Sequence, residues 1–375
     1  MGSTWRLAAA TALWMCFAGG AAGSSPKPDF RVEFSLVDLG IEVFDSSKPD
    51  VQREAALKRY LEHPLMAIAF QRYSSSRRPP EQRVDAKVYE DFVRKVWKRD
   101  FESVTHPRLK HVSANYKWGI GHIPEIKKDS AQVRSSIEAW LNKAVKKIPF
   151  GTPAAELGKT PVKLVFLFDP GGSYPWVHFD SEYRYIYFDV LQLRGLDDKE
   201  RASPIDPDTL HGFLIHELFH QFQKDKFEGA DKGDWLIQTA ISEGSAMLIG
   251  NNAFDQQGQK FHQDESVLLG GRALREWQEQ MPRVCDHVAS FLKLVAQWKK
   301  TPPSDDDYYK TISKESWVAT PDNGLLFGNV YRVGAQMLMD IKVRKGLPAF
   351  YEVVGDSGKL LTVWEGTSRC KGKTP

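Results

Sequence analysis

Cysteine is scarce in this chain: its 375 residues include three, at positions 16, 285 and 370. Charge of one sign is missing as well, since 51 Lys and Arg face 48 Asp and Glu, a formal net charge of +3. With no long basic run, neither nucleic acid nor an acidic surface is expected as a partner. Long apolar runs are absent after the N-terminus, where nothing approaches the roughly 20 residues that cross a bilayer. Internal repeats are absent too. What remains is ordinary: 42% hydrophobic and 26% charged residues, enough for one large core or two modest ones.

The one apolar run is LAAATALWMCFAGG, which follows Arg6 and precedes small residues. With Ala21 and Gly23 placed before a cut ahead of Ser24, residues 1–23 have the form of a secretory signal peptide. The expected location is secreted or periplasmic, with no stable membrane insertion once the leader is removed. Cleavage leaves Cys285 and Cys370 as the two cysteines of the mature chain. An even count in an oxidising compartment suggests one disulfide closing the C-terminal tail onto the body, against an alternative of two separate buried thiols.

Residues 27 to about 110 read as mainly helical, from the apolar spacing of Leu57, Tyr60, Leu61, Leu65 and Ile68 and then of Val88, Phe92, Val93 and Val96. SSSRRPPEQ between these sets is a loop. Ile137, Trp140, Leu141, Ala144, Val145 and Ile148 mark a further amphipathic helix. The pattern then changes: VKLVFLFD, WVHFD and YRYIYFDVLQL read as strands. Helices return after Pro204 and Pro207, one carrying Leu210 to Phe222, one from Asp234 through Ile249, and one from about Val330 to Arg344 closed by Gly346 and Pro348. The fold class is therefore α+β: a small mixed or antiparallel sheet packed on a helix, with helical N- and C-terminal parts. A mainly helical region over 24–150 and a catalytic domain over 151–375 are expected.

Chemistry concentrates in HGFLIHELFHQFQ, residues 211–223. On a helix, His216 and His220 project from one face and can offer both imidazoles to one ion. Glu217 projects beside that ion, placed to take a proton from a metal-bound water and return it to a leaving amine. This is the H-E-x-x-H pattern of zinc peptidases. A catalytic zinc site needs a third protein ligand. Glu243 qualifies, because it sits in LIQTAISEGSAMLIG, where a lone buried carboxylate would cost several kcal/mol without a positive partner. Glu228, Asp231 and Asp234 lie in a polar connection and His262 in a Gln-rich loop, which makes them weaker candidates.

His216, Glu217, His220 and Glu243, with SEGSAM around the last, resemble the gluzincin class of zinc metallopeptidases, the group of thermolysin and aminopeptidase N. The resemblance spans roughly residues 160–350. It implies zinc ligands at His216, His220 and Glu243, one Zn2+ per chain, and a general base at Glu217. The chain does not resemble a metzincin, since Gln223 and Lys226 occupy the positions that would need Gly and His. It is a divergent member, with Met247 where thermolysin-like sequences carry an acidic residue and without the Gly-x-Met-Glu-Asn substrate motif. NVYRVGAQMLMDIKVRKG resembles the Tyr-x-x-Gly helix of the aminopeptidase N group, which would make Tyr331 a donor to the developing oxyanion; the alternative is a tyrosine anchoring the helix in the core. Arg332, His262 and His287 are the next candidates for that role.

The function expected is a secreted zinc peptidase acting on peptide or protein substrates through a zinc-polarised water. Two rivals stand beside it: a secreted binding protein keeping the peptidase fold without turnover, and a helical domain in which H-E-x-x-H is accidental. An intact Glu217 argues against the first, because a binding module has no need of a base beside the metal.

Overall fold

The computed structural model describes residues 29–75, 78, 80–147, 160–172, 175–191, 193, 207–220, 231–250, 281–304, 307, 329–366 and 370. The leader and His262 lie outside them, as does the Gln223 to Glu228 stretch. Strand β1 (Phe30–Glu33) opens the described chain. Helices α1 (Ser35–Phe44), α2 (Asp50–Leu61), α3 (Pro64–Tyr73), α4 (Ala86–Trp97), α5 (Pro107–Gly121) and α6 (Ile123–Lys147) follow. Then come strands β2 (Val162–Leu167), β3 (Trp176–Phe179) and β4 (Arg184–Asp189). Helices α7 (Pro207–His220), α8 (Lys232–Gly250), α9 (Val284–Lys300), α10 (Asn329–Gly355) and α11 (Leu360–Glu365) complete it.

The fold is α+β, rich in helix, with one mixed sheet of four strands in the order β1-β2-β4-β3. β1, β2 and β4 run parallel, and β3 returns antiparallel to β4 as an edge strand. The turn between β3 and β4 is held by the Asp180 side chain, which accepts the backbone N–H groups of Glu182 and Tyr183 at 2.7 Å each. β2 and β4 are buried almost throughout, which explains why VKLVFL reads as a continuous apolar run rather than an alternating one.

The N-terminal region is mainly helical, but it opens on a strand, β1, that the sequence reading did not include. FRVE is too short to show a period, and its pairing comes entirely from β2, more than 130 residues later in register Phe30 to Val162. The single apolar spacing read across residues 55–69 is likewise two helices. Pro64 cannot continue α2, and it starts α3 with the His63 ring accepting the Leu65 N–H at 3.2 Å. α5 opens the same way, on His106 and Pro107.

Two apolar cores result. The first lies between the sheet and α1–α7, and includes Phe34, Phe166, Phe188, Leu214 and Leu218. The second joins α8 to α11 through Leu236, Ile241, Val295, Val333, Leu338 and Trp364. A Cys285–Cys370 disulfide ties the C-terminal end to α9, as the cysteine count suggests. Gly346, at φ 81°, breaks α10 where the sequence places its end, a backbone angle that favours glycine.

α8 and α10 pack glycine against glycine. A Cβ on Gly334 would stand 1.8 Å from the Ala240 carbonyl oxygen, and one on Gly244 would stand 2.3 Å from the Gly334 carbonyl carbon. Only two residues without side chains allow these backbones to meet. Because the obstacle is backbone, Gly334→Ala should destabilise the protein by at least about 1–3 kcal/mol. Equilibrium denaturation checks this, and a variant as stable as wild type would mean the two helices do not approach so closely.

Candidate metal centre

α7 ends the first core and α8 begins the second, so the face of α7 that meets α8 lies at the seam between them. The apolar residues of α7 are buried around the ring of the helix: Leu214, Ile215, Leu218 and Phe219 are each at most 2% exposed. His216 and Glu217 are buried among them at 5% and 6%, and Glu243 of α8 faces them at 7%. Burying three titratable groups together is costly unless they compensate one another or a cation.

Their geometry shows what they share. Glu243 Oε2 lies 3.5 Å from His216 Nε2 and 3.5 Å from His220 Nε2. The two imidazoles are themselves 4.7 Å apart, centroid to centroid, at 78° to each other. Four ligands at about 2.0–2.1 Å around a tetrahedral zinc stand about 3.3–3.4 Å from one another, so the oxygen stands from each of the two nitrogens at close to the separation of two zinc ligands. His220 Nδ1 is 3.2 Å from Ser242 Oγ. With Nδ1–H donating to that hydroxyl, Nε2 presents its lone pair inward. Glu243 Oε2 is buried without a hydrogen bond of good geometry. Lone pairs converging on one buried point fit a cation at that point.

Glu217 offers a carboxylate oxygen within 4.8 Å of the ligand atoms of both histidines. The two glutamates nevertheless differ. Burial pushes Glu217 up to about 8; nearby His220 works against this and Glu243 adds to it. Burial acts on Glu243 in the same sense, but His220 and His216 overcome it and hold this carboxyl well below the usual range. Glu243 is thus the anionic partner of the imidazoles, and Glu217 is the carboxyl that holds a proton more tightly. A bound cation would lower both.

Tyr331 enters from the first turn of α10, three residues before Gly334. Its hydroxyl donates to Glu243, and burial together with the charges of Glu243 and Glu217 raises its phenol well above the ordinary value. The close glycine contact of α8 and α10 therefore delivers Tyr331 to the site. Arg332 is buried at 1% and acts on the half-buried His287 of α9 instead. Asp234 is taken by Lys299 at 2.5 Å, and Asp231 accepts the Asp234 N–H at 2.7 Å. Met247 is buried in the first turns beyond Glu243.

Residues 57–365 match a family model whose description is "Putative zinc dependent peptidase (DUF5700)". The chain belongs to this family. No curated protein and no solved structure matches it. Membership in the DUF5700 family makes the chain one of a zinc peptidase group, and the His216, Glu217 and His220 cluster is a set able to hold a metal.

Sequence reasoning missed two features. Ser242 was visible in SEGSAM, but its partnership with His220 depends on how α8 crosses α7. Arg72, at the end of α3, acts on Glu217 and Tyr331, and nothing in local spacing marks it.

Ser242→Ala should weaken zinc binding about 10- to 100-fold, the usual cost of losing a partner that orients a ligating histidine. Competition against a chelator of known affinity reads this directly. An affinity within two-fold of wild type would mean that Ser242 does not orient His220.

Proposed function

We propose that the chain is a gluzincin-type, exported zinc peptidase in which His216, His220 and Glu243 hold one zinc and Glu217 is the general base. The observation that carries this reading is the 3.5 Å approach of Glu243 Oε2 to both imidazole nitrogens with a second buried carboxyl beside them. The disulfide supports export, since bridges persist in oxidising compartments. Residues 1–23 as a leader, 24–150 as a helical region and 151–375 as the catalytic part belong to the same proposal.

When bound, zinc supplies Lewis-acid polarisation of a water and of the scissile carbonyl. The side chains do the rest. Glu217 accepts the proton of the attacking water on a carboxylate oxygen and passes it to the departing amine nitrogen. Ser242 keeps His220 turned toward the ion. Tyr331 directs a phenolic O–H to where the carbonyl oxygen gains negative charge. An extended peptide can pair with β3, whose partner strand lies on one side. A binding protein without turnover would gain nothing from a buried carboxyl at position 217, so this alternative is not favoured.

Two variants test the roles. Glu217→Gln should keep its zinc and lose nearly all hydrolysis of a peptide mixture, because an amide cannot take the proton. Turnover at the wild-type rate would show that Glu217 is not the base. Tyr331→Phe should lower kcat by about 10- to 1000-fold, with KM and zinc content little changed. A kcat within a few-fold of wild type would make Tyr331 a packing residue only.

A further inference from the structure

Three arginines from separate elements converge beside the metal centre. Arg72 lies at the end of α3, Arg78 in the following loop and Arg108 in the first turn of α5. The Arg72 guanidinium carbon is 4.5 Å from the ring centre of Trp176 on edge strand β3. Those of Arg78 and Arg108 are 5.3 Å and 4.7 Å from the ring centre of Tyr73. Tyr73 and Trp176 meet edge to face at 6.4 Å, so the three cations share one aromatic floor. The charge of Arg72 reaches Glu217 and Tyr331 on one side and His178 of β3 on the other.

These three guanidiniums act together on one carboxylate. The central carboxylate is Asp169, and neutral donors occupy it: Tyr73 O–H at 2.9 Å, Trp176 Nε1–H at 3.3 Å and the Gly171 N–H. Arg72 Nε is buried without a hydrogen-bond acceptor. Among the described residues, Arg72 and Arg78 form no ion pair; Arg78 donates to the Arg72 carbonyl at 3.2 Å. Burial, then the neighbouring Arg108 charge, pulls the Arg78 guanidinium down to about 10. Three partly buried guanidiniums around one carboxylate leave an excess of positive charge that a bound carboxylate would offset, and the planar fork of arginine suits a carboxylate best.

We propose that Arg72, Arg78 and Arg108 form a carboxylate subsite next to the metal centre, taking an acidic side chain or the free C-terminal carboxylate of a peptide lying along β3. The position of Arg72, over a β3 side chain and within electrostatic reach of the base, places this recognition close to the bond to be cut. The proposal rests on the peptidase reading and adds to it a substrate class, acidic or C-terminal peptides. The zinc site itself contributes no preference of this kind.

The test measures binding, so that it does not depend on turnover. Zinc-loaded Glu217→Gln protein is titrated into fluorescein-labelled peptides of one uncharged sequence. One has a free C-terminal carboxylate, one is amidated, and an amidated series carries a single Glu walked through each position. The free acid or at least one Glu peptide should bind about 10- to 100-fold more tightly than the neutral amide. Whichever gains identifies the source of the carboxylate. Adding Arg72→Gln should bring the ratio to within about two-fold of one, while Arg72→Lys, which keeps charge but not the fork, should retain part of it. If Arg72→Gln fails to fold, Arg78→Gln in the loop makes the same test. Equal affinity for all the peptides, or a preference that survives the arginine substitutions, overturns the subsite. Acid-selective binding by a wild-type protein that cleaves none of these peptides would instead overturn the peptidase reading and leave the subsite standing.

Discussion

The structure depends on bringing a buried carboxylate against two imidazoles, one buried and one partly so. Glu243 and His216 are each less than a tenth exposed, and no salt bridge to Lys or Arg relieves them among the described residues. Their arrangement is stable to the extent that opposite charge is present between or upon them. The imidazoles can carry that charge as protons, which is how Glu243 is held so strongly anionic. A zinc ion does the same with a better match to three converging lone pairs. Around this centre everything else is support. Buried apolar residues of α7 and α8 surround them, so water is kept from the charged groups and their mutual attraction is stronger than at a surface.

The two cores explain how such a site is assembled. α7 belongs to the sheet core and α8 to the C-terminal helical core, so the site exists only where the two halves meet. The Gly244 and Gly334 contact sets the separation of α8 and α10, and with it the position of Tyr331 over Glu243. The Cys285–Cys370 bridge closes the far end of that helical half. A cross-link of this span contributes about 2–4 kcal/mol, chiefly by restricting the unfolded chain. Chain connectivity thus stabilises the half of the molecule that carries Glu243.

Much of this was legible in the sequence, and the reason is locality. His216, Glu217 and His220 are three residues of one helix, and Glu243 stands out because its neighbours are uncharged. The β2 and β4 runs and the stop at Gly346 are equally local signals. β1 was hidden because four residues hold no period and its partner is far along the chain. The division of α2 from α3 turned on a single proline. Ser242 could be seen but not assigned, since its role depends on the crossing of two helices. The arginines at 72, 78 and 108 come together only through tertiary packing around Tyr73 and Trp176. No spacing rule connects three cations on three elements.

The central claim is that His216, His220 and Glu243 form one zinc centre. Zinc K-edge X-ray absorption of the purified full-length protein, combined with elemental analysis, tests it most directly. The account predicts about one zinc per chain in a four-coordinate shell of nitrogen and oxygen at about 2.0–2.1 Å, with the outer scattering of two imidazoles, and loss of that spectrum in Glu243→Ala. A protein that holds no stoichiometric zinc after mild exposure to the metal, or whose zinc shows no imidazole scattering, would contradict it.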